Sequence, residues 1–468
     1  ILRTAAGLAG RAELALALDG ARVPVSLSLS YRRGADSFLA AGALDGVAPA
    51  QLARRIPALP GLEGVTLPVA ATGFARIDLA GNLRDASFDL AAESGTVDLP
   101  RFLPAPLPVR NARLHVVFDR KQRRLVARDL RVAFGTPAER GPTITGMARA
   151  VREPETGTIR IRTEAEVADL AANALPRYWP PGIQESGIAR EWVTTNVRDG
   201  TVHEARVSAD LSLPGGDPAK VRLHALDGRM RYSGLSVRYL PGPRPVRGIS
   251  GTARFDAAKL AFDVAGGGLR GVQVRGGRVV VSGLDTTDQF LSIDLETQGP
   301  LANSLAPLAH PRIDLLDELG IDPAQAAGRA AVSLAFDFPL LKDLAMDQVD
   351  VRARAELKEA AVSGFLFGHD LTDGRLSLDV DTQGMKLRGP LQMAGIPVTM
   401  AWTERFDAAA EPVREVTASV GTLRPADLAR LGYGLPPFRE GPVSVDLHWR
   451  GDGAGTGRLT GAANVKDA

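Results

Sequence analysis

Period-two alternation runs through most of this chain and constrains its fold more than any other feature. Ile159, Ile161, Thr163, Ala165 and Val167 alternate with Arg160, Arg162, Glu164 and Glu166. Val349, Val351, Ala353, Ala355 and Leu357 alternate with Asp350, Arg352, Arg354 and Glu356, and Leu291, Ile293 and Leu295 with Ser292, Asp294 and Glu296. This period specifies strands with one apolar and one polar face. Few segments of the 468 residues offer a covering layer for the apolar faces. Those faces therefore read as a working surface and not as a closed core.

Composition narrows the class. At 45% hydrophobic and 24% charged the chain is globular and not disordered. Aromatics are only 5%, against 50 Gly and 32 Pro, which favours many short strands joined by turns. The net charge is +2, and no basic block carries interleaved aromatics, so nucleic acid is excluded as a partner class. The arginines alternate with Asp and Glu and read as a solvated face. The chain has no cysteine, which removes disulfides, thiolate metal sites and Cys nucleophiles together. No apolar run reaches about 18 residues and no signal peptide is visible. The chain opens at Ile1 and ends on Asn464–Ala468, straight out of a strand-like stretch, and reads as a fragment.

A chain this long normally holds about two to four domains, yet a shared order of elements suggests one continuous array over 1–468. Pro49-Ala50-Gln51-Leu52-Ala53-Arg54-Arg55-Ile56 resembles Pro425-Ala426-Asp427-Leu428-Ala429-Arg430-Leu431-Gly432, each with Pro in the first helical turn. Asp169–Leu175 and Pro300–Leu305 are weaker relatives, so long repeats start near 49, 169, 300 and 425. A second shared phrase, a strand ending on Asp before a turn, occurs at Arg113–Asp119, Gly251–Asp256 and Gly374–Asp381. Helical insertions fall near 168–198 and 301–327. Gln184–Val197 carries Ile188, Ala189, Trp192, Val193 and Val197 on one face, with Gly200 beyond its end. That face reads as packing on the sheet in preference to docking a partner.

Catalytic motifs are missing or fail on context. Gly266-Gly267-Gly268-Leu269-Arg270-Gly271 fits a dinucleotide fingerprint formally, but Val272, Val274 and Val279–Val281 behind it spell strand where a helix is required. His115, His203, His224, His310, His369 and His448 are scattered and form no metal-binding pair. Asp314, Asp317 and Glu318 share a helical face and read as solvated. No nucleophile elbow and no phosphate loop occurs. The expectation is no enzyme, no catalytic residue, no metal and no cofactor.

One stretch is specific. Tyr178-Trp179-Pro180-Pro181-Gly182-Ile183, followed by Ala189-Arg190-Glu191-Trp192-Val193-Thr194-Thr195-Asn196-Val197-Arg198-Asp199-Gly200-Thr201-Val202, resembles a signature of the bacterial AsmA-like superfamily, YhdP branch. Ala327–Asp407 is similar to the same branch, above all Gly364-Phe365-Leu366-Phe367-Gly368 leading to Leu376-Ser377-Leu378-Asp379-Val380. The resemblance implies a bridge-like lipid carrier: a long, strongly curved antiparallel sheet, taco-shaped, with an apolar concave face and a few short helices. It implies movement of phospholipid between inner and outer membranes, bound phospholipid as the ligand, and a periplasmic location. Anchoring would come from an N-terminal membrane helix with no counterpart here, and both membranes would be reached through regions outside this fragment. The family brings no catalytic residues.

The residues support the same picture. A bare apolar lining beyond a few hundred Å² is unusual in a soluble protein, and acyl chains are a fitting cover. A uniform aliphatic lining gives each position similar energy, so lipid slides while its head stays in water. The expected lining is Ile159, Ile161, Ala165, Val167, Val279, Val281, Leu291, Ile293, Leu295, Val349, Val351, Leu357, Leu376, Leu378 and Val380. Some 25 to 30 strands at about 4.8 Å spacing would reach roughly 120 to 140 Å. The rival readings are an envelope scaffold or assembly factor with closed β-sandwich cores, a β-solenoid enzyme and an outer-membrane barrel. The solenoid lacks its short coils, and five Tyr and four Trp are too few for the barrel's aromatic girdles.

Overall fold

The computed structural model describes residues 2–19, 21–53, 62–100, 103–179, 187–217, 220–238, 244–306, 322–341, 344–345, 348–366, 368–406, 412–430, 443–452 and 456–465. The protein is mainly β. Among the described residues 26 strands belong to one antiparallel sheet, within the expected range of about 25 to 30. The sheet is not closed: β1 (Leu2–Thr4) pairs with β2 (Gly7–Leu18), β26 (Gly457–Asn464) pairs with β25 (Val443–Gly451), and neither has a second partner among the described residues. By contacts the chain divides into two units. The first is Ile1–Val237, Ser250–Leu260 and Leu284–Thr287, and the second is Arg238–Ile249, Ala261–Gly283 and Asp288–Ala468.

In the first unit the strands follow chain order. β2 is followed by β3 (Ala21–Arg32), β4 (Ser37–Val47), β5 (Val69–Asp78) and β6 (Leu83–Ala92). Then come β8 (Leu107–Asp119), β9 (Arg124–Gly135), β10 (Arg140–Arg152), β11 (Ile159–Ala171), β13 (Thr201–Leu213) and β14 (Arg222–Val237). The short β7 (Gly95–Val97) pairs with β8, and β12 (Val197–Arg198) with β14. β15 (Val246–Asp256) and β16 (Lys259–Leu269) are divided between the units. The second unit continues with β17 (Val272–Ser282), β18 (Phe290–Pro300), β19 (Ala326–Pro339), β20 (Asp350–Leu366) and β21 (His369–Asp381). It ends with β22 (Gly384–Met393), β23 (Ile396–Arg405), β24 (Arg414–Leu423), β25 and β26.

The helices are short: α1 (Pro49–Ala53), α2 (Leu175–Tyr178), α3 (Gly187–Asn196), α4 (Leu301–Leu305) and α5 (Pro425–Arg430). α1 and α5 start by the same device. Pro occupies the first position, and a side chain two residues on accepts from the backbone N–H of the residue before the Pro: Gln51 Oε1 from Ala48 at 3.1 Å, Asp427 Oδ2 from Arg424 at 2.7 Å.

Asp169–Ala171, read in the sequence as a helix start, are strand. Asp169 takes φ +58° and lets β11 bend while Leu170 and Ala171 still pair with Val202 and Thr201. A single 3₁₀ turn, Ala172–Ala174, then leads into α2. Ala326 and Ala327, inside the expected second insertion, likewise open β19. The stretch read as helical in the sequence, with Asp314, Asp317 and Glu318, lies outside the described residues, as do residues 180–186 and the side chains of Ile188, Ala189 and Trp192.

The three Asp phrases each end a strand. Asp119 Oδ1 accepts from Gln122 N, Asp256 Oδ1 from Ala258 and Lys259 N, and Asp381 Oδ1 from Gln383 and Gly384 N. An Asp here shapes the turn by taking up backbone donors. The Gly266–Gly271 run ends β16 and turns directly into β17, with Arg270 at φ +50° and Gly271 at φ +83°. No helix follows it.

Candidate functional site

Registration gives each unit one apolar and one polar face. In the second unit Thr297, Val332, Ala355, Leu378, Leu387, Trp402, Val416, Trp449 and Leu459 lie side by side, one from each strand from β18 to β26. The neighbouring row, one residue along, is Glu296, Ser333, Arg354, Asp379, Lys386, Thr403, Glu415, Arg450 and Arg458. Successive side chains of a strand point to opposite faces, so the first row lines one face and the second covers the other. In the first unit Val47, Val69, Ala92, Ala112, Val132, Ile144, Val167, Ala205 and Met230 form a comparable row.

The expected lining residues that lie in strands share the parity of these apolar rows. Val279, Ile293, Phe336 and Val351 are directly paired in sequence, as are Val281, Leu291 and Phe338. Leu295 pairs with Leu334, then Ala353, then Val380, and Leu357 pairs with Leu376. In the first unit Ile159, Ile161, Ala165 and Val167 pair with Leu213, Leu211, Val207 and Ala205. Val349 lies one residue before β20. All are half-buried except Leu376, which is 3% exposed.

Burial is graded across each face. The buried residues gather at the rim from which the short helices spring. In the first unit they are Leu18, Val23 and Val47 beside Leu52 of α1, and Leu67, Leu107, Val109 and Phe134 beside Tyr178 of α2. The Phe134 and Tyr178 rings meet edge-on at 5.4 Å. In the second unit Leu301 of α4 joins Ala330, Val362, Leu371, Leu391, Ile396, Val420 and Leu423, and this cluster extends to Met400 and Trp402. Burial is not confined to that rim, since Ala86, Ala253 and Met385 are buried too, but on β2 and β3 several aliphatic side chains are open. Leu14, Leu16 and Leu29 are 50%, 42% and 43% exposed. The chain exposes 28127 Å² in all. Two separate compact bodies of half its mass would expose only about 20,000 Å² together.

The opposite face is a ladder of cross-strand ion pairs. Arg162 grips Asp210 through Nε at 2.8 Å and Nη2 at 3.1 Å. This guanidinium holds the Asp210 carboxyl below its ordinary value, and the carboxylate raises Arg162 in turn. Arg206 pairs with Glu166 at 3.1 Å and Arg354 with Asp379 at 3.2 Å. The His448 ring and then Arg450, at 2.7 and 3.0 Å, hold Glu415 low against some desolvation. A depression of about 770 Å³ on this face is lined in part by Arg275, Arg354, Arg388, Glu296, Glu356 and Asp379. Its arginines are engaged by Gln298, Asp379 and Ser377.

One polar triad has the residue types of a hydrolase. His115 Nδ1 lies 2.7 Å from Asp89 Oδ1, and Nε2 lies 3.2 Å from Ser87 Oγ. β6 is paired on both sides over this stretch, so the ladders take up the backbone N–H groups that an oxyanion hole would need. Ser87 sits on a regular strand, and the carboxylate is 72% exposed. The arrangement fits cross-strand hydrogen bonding. Among the described residues no three metal-capable side chains come together, and no helix is long and apolar enough to cross a membrane.

Sequence reasoning missed one feature of the apolar face. Glu404 follows Met400 and Trp402 at the same parity, yet it is buried. Trp402 Nε1–H donates to its Oε2 at 2.8 Å, and Arg414 grips both oxygens at 2.6 and 2.9 Å while standing 5.2 Å over the indole. A carboxylate on an apolar parity was the available signal.

The signature segment also acquires a role. Arg190 of α3 reaches back to the carbonyls of Trp179 and Pro176 at 3.3 and 3.4 Å, tying α3 to the end of α2. Gly200, at φ +66°, has room for no side chain, since a Cβ would lie 2.4 Å from the Ser233 carbonyl oxygen. A family model described as YhdP protein matches residues 67–414. No curated protein and no solved structure matches the chain.

Proposed function

This chain belongs to the YhdP family, and from that premise we propose that it is a non-enzymatic conduit for phospholipid in the envelope of a diderm bacterium. The observation that carries the reading is the paired aliphatic face of each unit, on which Leu14, Leu16 and Leu29 are open and Ile161, Ile293 and Val351 are only half-buried. Acyl tails would lie on the rows that contain Ile161, Ile293 and Val351, with the polar head in water. Each methylene taken from water contributes about 0.8 kcal/mol, so ten contribute about 8 kcal/mol without any specific contact. Low barriers to sliding follow from the same uniformity. The ion-paired opposite face stays solvated and leaves one side for cargo. Passage between inner and outer membranes, and a periplasmic location, belong to this proposal.

Lipid extraction and native mass spectrometry of the purified chain test it. Recovery of phospholipid at one or more per chain is the expected result. A lipid-free chain that takes up none from phospholipid vesicles overturns it. That result would favour a scaffold, a reading to which the dry cluster around Leu371 and Met400 lends some support.

A further inference from the structure

We propose that Phe365 is a displaceable stopper, and that the Trp402 floor beneath it is a seat for the end of an acyl chain. The inference rests on the lipid-carrying reading and names a site within it. Phe365 lies near the end of β20, and Trp402 lies on β23. β21 and β22 stand between those strands. Three strand spacings amount to about 14 Å, yet the two ring centroids are 5.6 Å apart, tilted by 59°. The end of the β20–β21 hairpin therefore leans over the apolar face. Its bend is visible in the backbone. Glu359 and Asp373, on facing strands, take φ +54° and +53°, and the register shifts on either side of Ala360 and again before Leu366.

The two rings are held very differently. Trp402 is fixed by its hydrogen bond to Glu404 and by the Arg414 guanidinium above it. Phe365 contributes only apolar packing and remains half-buried. It is flanked by Gly364 at φ +64° and Gly368 at φ +76°, positions where an added Cβ would meet nothing within 4 Å. Of the pair, Phe365 is the one that can leave. The floor it covers belongs to the aliphatic row, with Leu387 and Val416 directly beside Trp402. Methylenes and a phenyl ring make equivalent contacts there, so a chain end and Phe365 compete for one surface. Displacement would extend the open face of β18–β20 toward β23.

Trp402 supplies the readout. Replacing Trp179, Trp192 and Trp449 by Phe leaves it as the sole tryptophan. Phospholipid with brominated acyl chains is loaded into this background with Phe365, Phe365→Ala or Phe365→Leu. Quenching of Trp402 is expected in all three, strongest for Phe365→Ala and intermediate for Phe365→Leu. In the unsubstituted chain, hydrogen exchange at Gly364–Phe365 should become roughly tenfold faster on lipid loading, while β18–β20 is unchanged or slower. This second measurement decides the matter if Phe365→Ala fails to fold. Lipid that loads by extraction yet leaves Trp402 unquenched and hairpin exchange unchanged overturns the stopper alone. Failure to load any lipid overturns the conduit and the stopper together.

Discussion

At the scale of single residues, equal hydrophobicity hides unequal environments. Ile293 and Leu376 both sit on the apolar face of the second unit, but only Leu376 is sealed, at 3% exposure. Ile293→Asp places its charge beside water and should cost about 1–2 kcal/mol, mostly the lost burial. The chain is expected to fold normally by circular dichroism while co-purified phospholipid falls several-fold. Leu376→Asp buries a charge with no partner and should cost at least about 3–5 kcal/mol, unfolding the unit. Equal tolerance of both substitutions would show that burial is not graded across the face. The alternation made both residues legible as apolar-face positions. It could not rank them, because exposure depends on which distant side chains pack over each position.

At the scale of elements, the chain reuses two small devices: a helix start built on Pro with a returning acceptor, and a turn built on a strand-ending Asp. Asp427 illustrates the first. Its carboxyl is held below the ordinary value by the Arg424 N–H and then the Arg430 guanidinium, with burial opposing both. A carboxyl lowered in the folded state contributes stability above its unfolded value, and loses it as pH falls through the lowered one. Asp427→Ala should cost about 1 kcal/mol at neutral pH. Asp427→Asn keeps an acceptor but should flatten the fall in melting temperature on acidification. Thermal melts of the three proteins between neutral pH and about pH 3 check this. An acid slope unchanged in Asp427→Asn would place the titration elsewhere. The Pro and Asp signals were readable in sequence. The strand running on through Ala171 was not, because Asp169 bends β11 while Leu170 keeps its partner. Partner pairing decided an end that local propensity left open.

At the scale of the whole molecule, the exposed apolar surface has a direct consequence. A compact protein binds little of an apolar fluorescent probe, whereas this chain should bind it strongly while cooperatively folded, and phospholipid should displace it competitively. Probe binding that appears only on unfolding would mean the faces are sealed. Sequence alone determined the strands, their two-faced character, the turn chemistry and the absence of thiol chemistry, because these follow from side-chain period and residue type. The family signature around Trp179–Val202 was equally local. Tertiary structure decided the rest. Registration set Thr297 to Leu459 in one unbroken row, since a slip of one residue would have exchanged the faces. Packing between distant elements decided which aliphatic residues are dry, Leu376 and Met385 among them. Folding of the β20–β21 hairpin laid Phe365 on Trp402, a contact between strands separated by two others. Such long-range placement depends on the sum of many weak pairings and bends, and no single stretch of the chain encodes it.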